Sequence, residues 1–90
     1  MKRLEAKVYG HVQGVFFRDT TRREAQRLQV SGWVRNERDG SVKVVAEGSA
    51  ENLQALEQFL HKGTAAARVE RVDTEWQEAT GEFRGFRVRT

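Results

Sequence analysis

Within ninety residues the apolar positions of this chain change spacing several times, between a period of two and a period near 3.6. Few folds accept the resulting order. Leu4, Ala6 and Val8 alternate with Glu5, Lys7 and Tyr9, the pattern of a half-buried strand. Phe17, Thr21, Ala25 and Leu28 then recur at helical spacing, leaving Arg22, Arg23, Glu24 and Arg27 for solvent. This predicts a helix over 18–30, ended by Ser31-Gly32. Trp33 to Glu37 begins a second strand, Asp39-Gly40 signals a hairpin, and Val42, Val44 and Ala46 alternate down a third strand. Gly48-Ser49 breaks that strand, and Ser49 is placed to cap a second helix. Its apolar stripe is Leu53, Leu56, Phe59 and Leu60, and Gly63 is its C-cap. A fourth strand is predicted over 68–79, with Val72, Thr74 and Trp76 on one face. Gly81 and Gly85 then flank a turn before a short strand carrying Phe86 and Val88.

The order β-α-β-β-α-β with a short terminal strand predicts an α+β fold. It is the ferredoxin-like α/β sandwich, a mostly antiparallel sheet with two helices on one face. With no linker or low-complexity tract, residues 1–90 are expected to form a single domain. That plan hosts many activities, so function has to come from particular residues. The absence of cysteine excludes disulfides, thiolate metal sites and a cysteine nucleophile. Metal chaperones of this shape carry Cys-x-x-Cys, which is missing. Arg84-Gly85-Phe86 begins like an RNA-recognition motif. Arg87 and Val88 then break the pattern, and the segment lies on the last strand instead of the third. The 16 basic and 13 acidic residues leave a net charge of +3. They are interspersed, with no concentrated basic face, so a nucleic-acid partner is not expected. No apolar run approaches the roughly 18 residues of a membrane span, and the N-terminus has no signal-peptide pattern. A cytoplasmic monomer is the expectation.

The most informative stretch is Gly10-His11-Val12-Gln13-Gly14-Val15-Phe16-Phe17-Arg18, at a strand-to-helix junction. A glycine-containing turn there can aim several backbone N–H groups at one point. The first helical turn adds N–H groups without internal partners and a partial positive charge. Together these make an anion site, most often for phosphate. Arg18 adds a planar fork of donors suited to a phosphoryl group. The stretch is not a P-loop, because no Gly-Lys-Ser/Thr follows, and it lacks the third glycine of a dinucleotide fingerprint. Taken alone it is also compatible with glycines that serve only the geometry of the turn.

A second constellation follows: Gly32-Trp33-Val34-Arg35-Asn36, then Gly40, Val42 and Gly48. Taken with Val8, Gly10, Val12, Gln13, Gly14, Val15, Phe17 and Arg18, it resembles the two signatures of the acylphosphatases. The resemblance extends over essentially the whole chain. It implies hydrolysis of the carboxyl–phosphate bond of acyl phosphates, without metal or cofactor. It implies small-molecule acyl phosphates as substrates, and phosphate or other oxyanions as product or inhibitor. By motif position, Arg18 would grip the phosphoryl group. The backbone N–H groups of Gln13, Gly14, Val15, Phe16 and Phe17 would cradle it, and Asn36 would orient the attacking water. The alternative is a non-enzymatic phosphate or acyl-phosphate binding module.

The chemistry accords with those roles. Phosphoryl transfer asks chiefly for positioning and charge stabilisation, and a carboxylate leaves without a strong general acid. The motif leaves the His11 position free, and His61 reads as a charge complement at a helix C-terminus. Glu37 stands where many relatives carry a small hydroxyl residue. Pointed inward it would repel a phosphate, so it is expected to point outward.

Overall fold

The computed structural model describes residues 1–90. Its elements are β1 (Lys2–His11), α1 (Phe17–Arg27), β2 (Ser31–Asn36), β3 (Val42–Gly48), α2 (Ala50–Lys62), β4 (Arg68–Glu78) and β5 (Phe86–Arg89). They form one five-stranded sheet in the order β4-β1-β3-β2-β5. Every neighbouring pair is antiparallel except β2 and β5. Each helix crosses over one intervening strand: α1 joins β1 to β2 across β3, and α2 joins β3 to β4 across β1. The predicted ferredoxin-like sandwich is therefore the observed one.

Register explains why one face is dry. Leu4, Ala6 and Val8 lie opposite Ala46, Val44 and Val42. Val34 lies opposite Val44 from the other side. These residues form a single core with Phe17, Ala25, Leu53, Leu56 and Leu60 from the helices. The same rows place Asn36 opposite Val42, on the helix-covered face at the end of β2. A bulge between Tyr9 and Gly10 shifts the register of β1 against β4, and pairing then continues with Gly10 opposite Val69 and His11 opposite Arg68. The backbone there is so close that a Cβ on Gly10 would sit 2.0 Å from the Arg68 carbonyl oxygen.

Both helix ends follow local chemistry. The Ser49 hydroxyl accepts from the Asn52 N–H at 3.1 Å, and the Gly63 N–H donates to Phe59 at 2.7 Å. The first helix stops three residues before the predicted Val30. Its last turn closes as a Schellman motif: Val30 N–H to Ala25 O and Gln29 N–H to Gln26 O, both at 3.1 Å. Gln29, at φ +57°, takes the left-handed position that glycine usually fills. Apolar periodicity carried through Leu28 and Val30 and concealed that stop.

The open face is covered in part by the β4–β5 connection. Buried Glu47 accepts from the N–H groups of Thr80 (2.9 Å) and Gly81 (3.0 Å) and from the Thr80 hydroxyl (3.0 Å). Arg3 adds a longer contact at 3.4 Å. Neither helix is long and apolar enough to cross a membrane.

Candidate active site

Between β1 and α1 the chain is fastened at two points and free between them. Val12 and Val15 are buried, whereas Gly14 and Phe16 stand out into solvent. Gly14 has φ +75° and Phe16 φ +61°. Left-handed residues recurring in a loop curl the backbone into a concave nest of N–H groups. The N–H groups of Gln13, Gly14, Val15 and Phe16 donate to no other backbone group. The first helical bond runs from Thr20 N–H to Phe16 O, and Phe16, as the N-cap residue, makes no side-chain cap. The leading N–H groups of α1 therefore also lack a capping partner. A left-handed phenylalanine costs about 1–2 kcal/mol, a strain that packing on either side has to hold. A Cβ added to Gly14 would meet nothing within 4 Å, so space above the nest is open.

Over this nest lies an open cleft of about 550 Å³, bordered by Gly14, Phe16, Phe17, Arg18, Arg22 and Val88 among others. Arg18 is half-buried and forms no ion pair with a protein carboxylate. The nearest acid in sequence, Asp19, is held by Arg22 at 2.6 Å and Arg23 at 3.1 Å. The Arg22 hydrogen bond, reinforced by the charges of both arginines, keeps the Asp19 carboxyl below its usual range. Its charge is thereby neutralised along the helix surface, and Arg18 remains available to an external anion.

Gln13 faces away from the cleft. Its amide nitrogen donates to the carbonyls of Glu37 (2.8 Å) and Ser41 (2.9 Å), which mark the two sides of the β2–β3 turn. The turn itself closes by Glu37 N–H to Ser41 O at 2.9 Å and Gly40 N–H to Glu37 O at 3.2 Å. Asn36, next to this mooring, has a fully buried Oδ1 with no hydrogen-bond partner. Such an atom costs stability unless something else justifies it. The Glu37 carboxylate points outward as expected and pairs with Arg35 at 3.0 Å on the opposite face of the strand.

The predicted residues thus divide into groups. Gly14, Phe16, Phe17 and Arg18 border the cleft. Val15 is buried, and its carbonyl accepts from the Thr64 hydroxyl at 3.0 Å. Gln13 moors the turn, and Asn36 lies beside that turn, outside the cleft lining. Sequence reasoning missed Thr64, Arg22 and Val88. Val88 was legible only as a strand residue, and no local signal ties Thr64 to a loop 49 positions away.

Residues 4–88 match the family model described as Acylphosphatase. This chain belongs to the acylphosphatase family. A relative named Acylphosphatase from Salinibacter ruber is 54% identical over 88 residues, covering 98% of this chain and 93% of its own length. The acylphosphatase crystal structure from Bacillus subtilis has a TM-score of 0.96 at 29% identity, covering all of both chains. The acylphosphatase structure from Coxiella burnetii has a TM-score of 0.91 at 38% identity, covering 98% of this chain and 92% of that one. The acylphosphatase family match takes in both glycine-containing stretches, the nest with Arg18 and the strand that ends in Asn36.

Proposed function

We propose that this chain hydrolyses acyl phosphates to a carboxylate and inorganic phosphate at the nest between β1 and α1. One observation carries the reading: four successive backbone N–H groups without backbone partners stand beside an arginine that no carboxylate neutralises. Such a group of fixed donors fits the three equatorial oxygens of a transferring phosphoryl group. Arg18 grips two of those oxygens through its planar fork, and the N–H groups of Gln13 to Phe17 take the rest of the charge. Asn36 orients a water in line with the scissile bond. Its buried Oδ1 has no protein hydrogen-bond partner, which leaves that oxygen free to accept from a water. The water oxygen bonds to phosphorus as the phosphorus–acyl oxygen bond breaks. The carboxylate departs with the bonding pair, and the phosphoryl oxygens receive the water proton.

The binding-module alternative had its strongest support in Glu37, which would disable the site if it faced the phosphate. Its pairing with Arg35 removes that support. The test is hydrolysis of a simple aromatic acyl phosphate in chelator, wild type beside Arg18→Ala. Rapid turnover by wild type and a loss of about 10³-fold or more in the variant is the expected result. A folded wild type that binds phosphate without turnover would return the reading to a binding module.

A further inference from the structure

We propose that Thr64 is a positioning residue of the phosphate nest, acting through the Val15 carbonyl; the proposal rests on the reading of the nest given above. The Thr64 hydroxyl donates to that carbonyl at 3.0 Å from the connection between α2 and β4. A trans peptide is planar, with its C=O and N–H pointing in opposite directions. The carbonyl of Val15 and the N–H of Phe16 belong to one such plane. Holding the carbonyl from beneath therefore aims the Phe16 N–H away from Thr64, toward the open side of the loop. Phe16 is the residue that most needs holding, since it is non-glycine at φ +61° and 82% exposed, with little packing of its own.

Thr64 is itself well fixed. The preceding Gly63 closes α2 through its N–H to Phe59 at 2.7 Å. Thr64 then opens a turn in which its carbonyl accepts from the Ala67 N–H at 3.1 Å. A Cβ on Gly63 would lie 3.2 Å from the Phe17 ring, so the end of α2 abuts the first residue of α1. The rings of Phe17 and Phe59 are 6.1 Å apart between the same elements. The hydroxyl thus stands on a packed base, and its orientation of the peptide is set before any anion arrives.

The test compares wild type, Thr64→Ser, Thr64→Val and Thr64→Ala. It measures kcat and KM for acetyl phosphate, competition by inorganic phosphate, and the phosphate-induced shift of the Phe16 amide in 1H–15N NMR. Val and Ala should each lower kcat/KM and weaken phosphate binding by about five- to tenfold, the scale of one neutral hydrogen bond. They should also shrink the Phe16 amide response, and Ser should restore all three to near wild type. Wild-type phosphate binding in the folded Val or Ala variant would overturn the proposal, as would a Ser variant no better than Val. If wild type binds phosphate but does not hydrolyse acetyl phosphate, only the hydrolase reading fails, and the binding and NMR arms still decide on Thr64.

Discussion

The side-chain amide of Gln13 donates to the backbone carbonyl of Glu37 at 2.8 Å, joining the loop that bears the nest to the turn that follows Asn36. The same nitrogen donates to Ser41 at 2.9 Å, so one side chain spans the mouth of the hairpin. Two separate sequence signatures are thereby held in one register by a single pair of N–H bonds. Gln13→Ala should lower stability by about 1–2 kcal/mol, since two acceptors lose a donor. Its turnover should fall further than its phosphate affinity, because the loosened part is the Asn36 side of the site. Gln13→Glu should be worse than Ala, because an ionised carboxylate facing two carbonyls can only accept. Urea unfolding beside steady-state kinetics checks both, and an Ala variant with wild-type stability would show that the mooring carries no load.

Arg18→Lys tests whether the fork or only the charge is required. An ammonium offers a point charge without two parallel N–H donors. Turnover should therefore drop by a large factor, about 10²-fold on the scale of losing one oriented donor to a phosphoryl oxygen. Steady-state kinetics on an aromatic acyl phosphate makes the comparison, and a lysine variant close to wild type would reduce the role of Arg18 to net charge.

Asn36→Ala should separate activity from stability. The buried Oδ1 has no partner, so deleting the amide leaves no orphaned group behind and should change folding stability by less than about 1 kcal/mol. Turnover should nevertheless fall, with competition by phosphate nearly unchanged, if the amide serves the attacking water. A variant with unaltered kcat would take Asn36 out of the mechanism.

Glu47 should carry part of the acid sensitivity, beside the more exposed carboxyls of Asp19, Asp39, Glu78 and Glu82, which are also held below their usual range. Burial by itself would push its carboxyl up, but the hydrogen bonds from Thr80 and Gly81, aided by the Arg3 charge, outweigh burial and hold it below the usual range. The folded form is therefore the weaker proton binder. Its stabilising contribution is complete above the unfolded glutamate value of about 4.3 and is lost as pH falls through the lower folded value. Glu47→Gln should be less stable near neutral pH and should show a flatter decline below pH about 4. Thermal unfolding across pH 2–7 measures it, and parallel curves for the two proteins would assign the acid response elsewhere.

Gln29→Gly should stabilise the protein. Gln29 is exposed at φ +57° in the Schellman position, where glycine has no Cβ penalty. Subtracting the greater freedom of glycine in the unfolded chain leaves a gain of about 0.5–1 kcal/mol. In a domain of this size that raises Tm by roughly 3–6 °C. A lower Tm would mean that the side chain compensates its backbone in a way the contacts do not reveal.

What the sequence determined by itself was local and periodic. Leu4, Ala6 and Val8 declared a strand, Leu53, Leu56 and Leu60 a helix face, and Ser49 and Gly63 its two caps, because each rests on spacing or on one residue's stereochemistry. The turn at Gly14 and the helix that begins beside Arg18 were legible for the same reason: a left-handed glycine and a helix start lie within one short segment. Tertiary structure decided what acts across distance. That Arg22 and Arg23 neutralise Asp19 and leave Arg18 unpaired depends on side-chain orientation around a helix. That Gln13 faces the hairpin, that Glu47 anchors the β4–β5 connection and that Thr64 reaches Val15 depends on which strands and loops become neighbours. Hydrogen bonds between residues dozens of positions apart leave no periodic trace in a chain. They exist only once the sheet order has brought their carriers within 3 Å of one another.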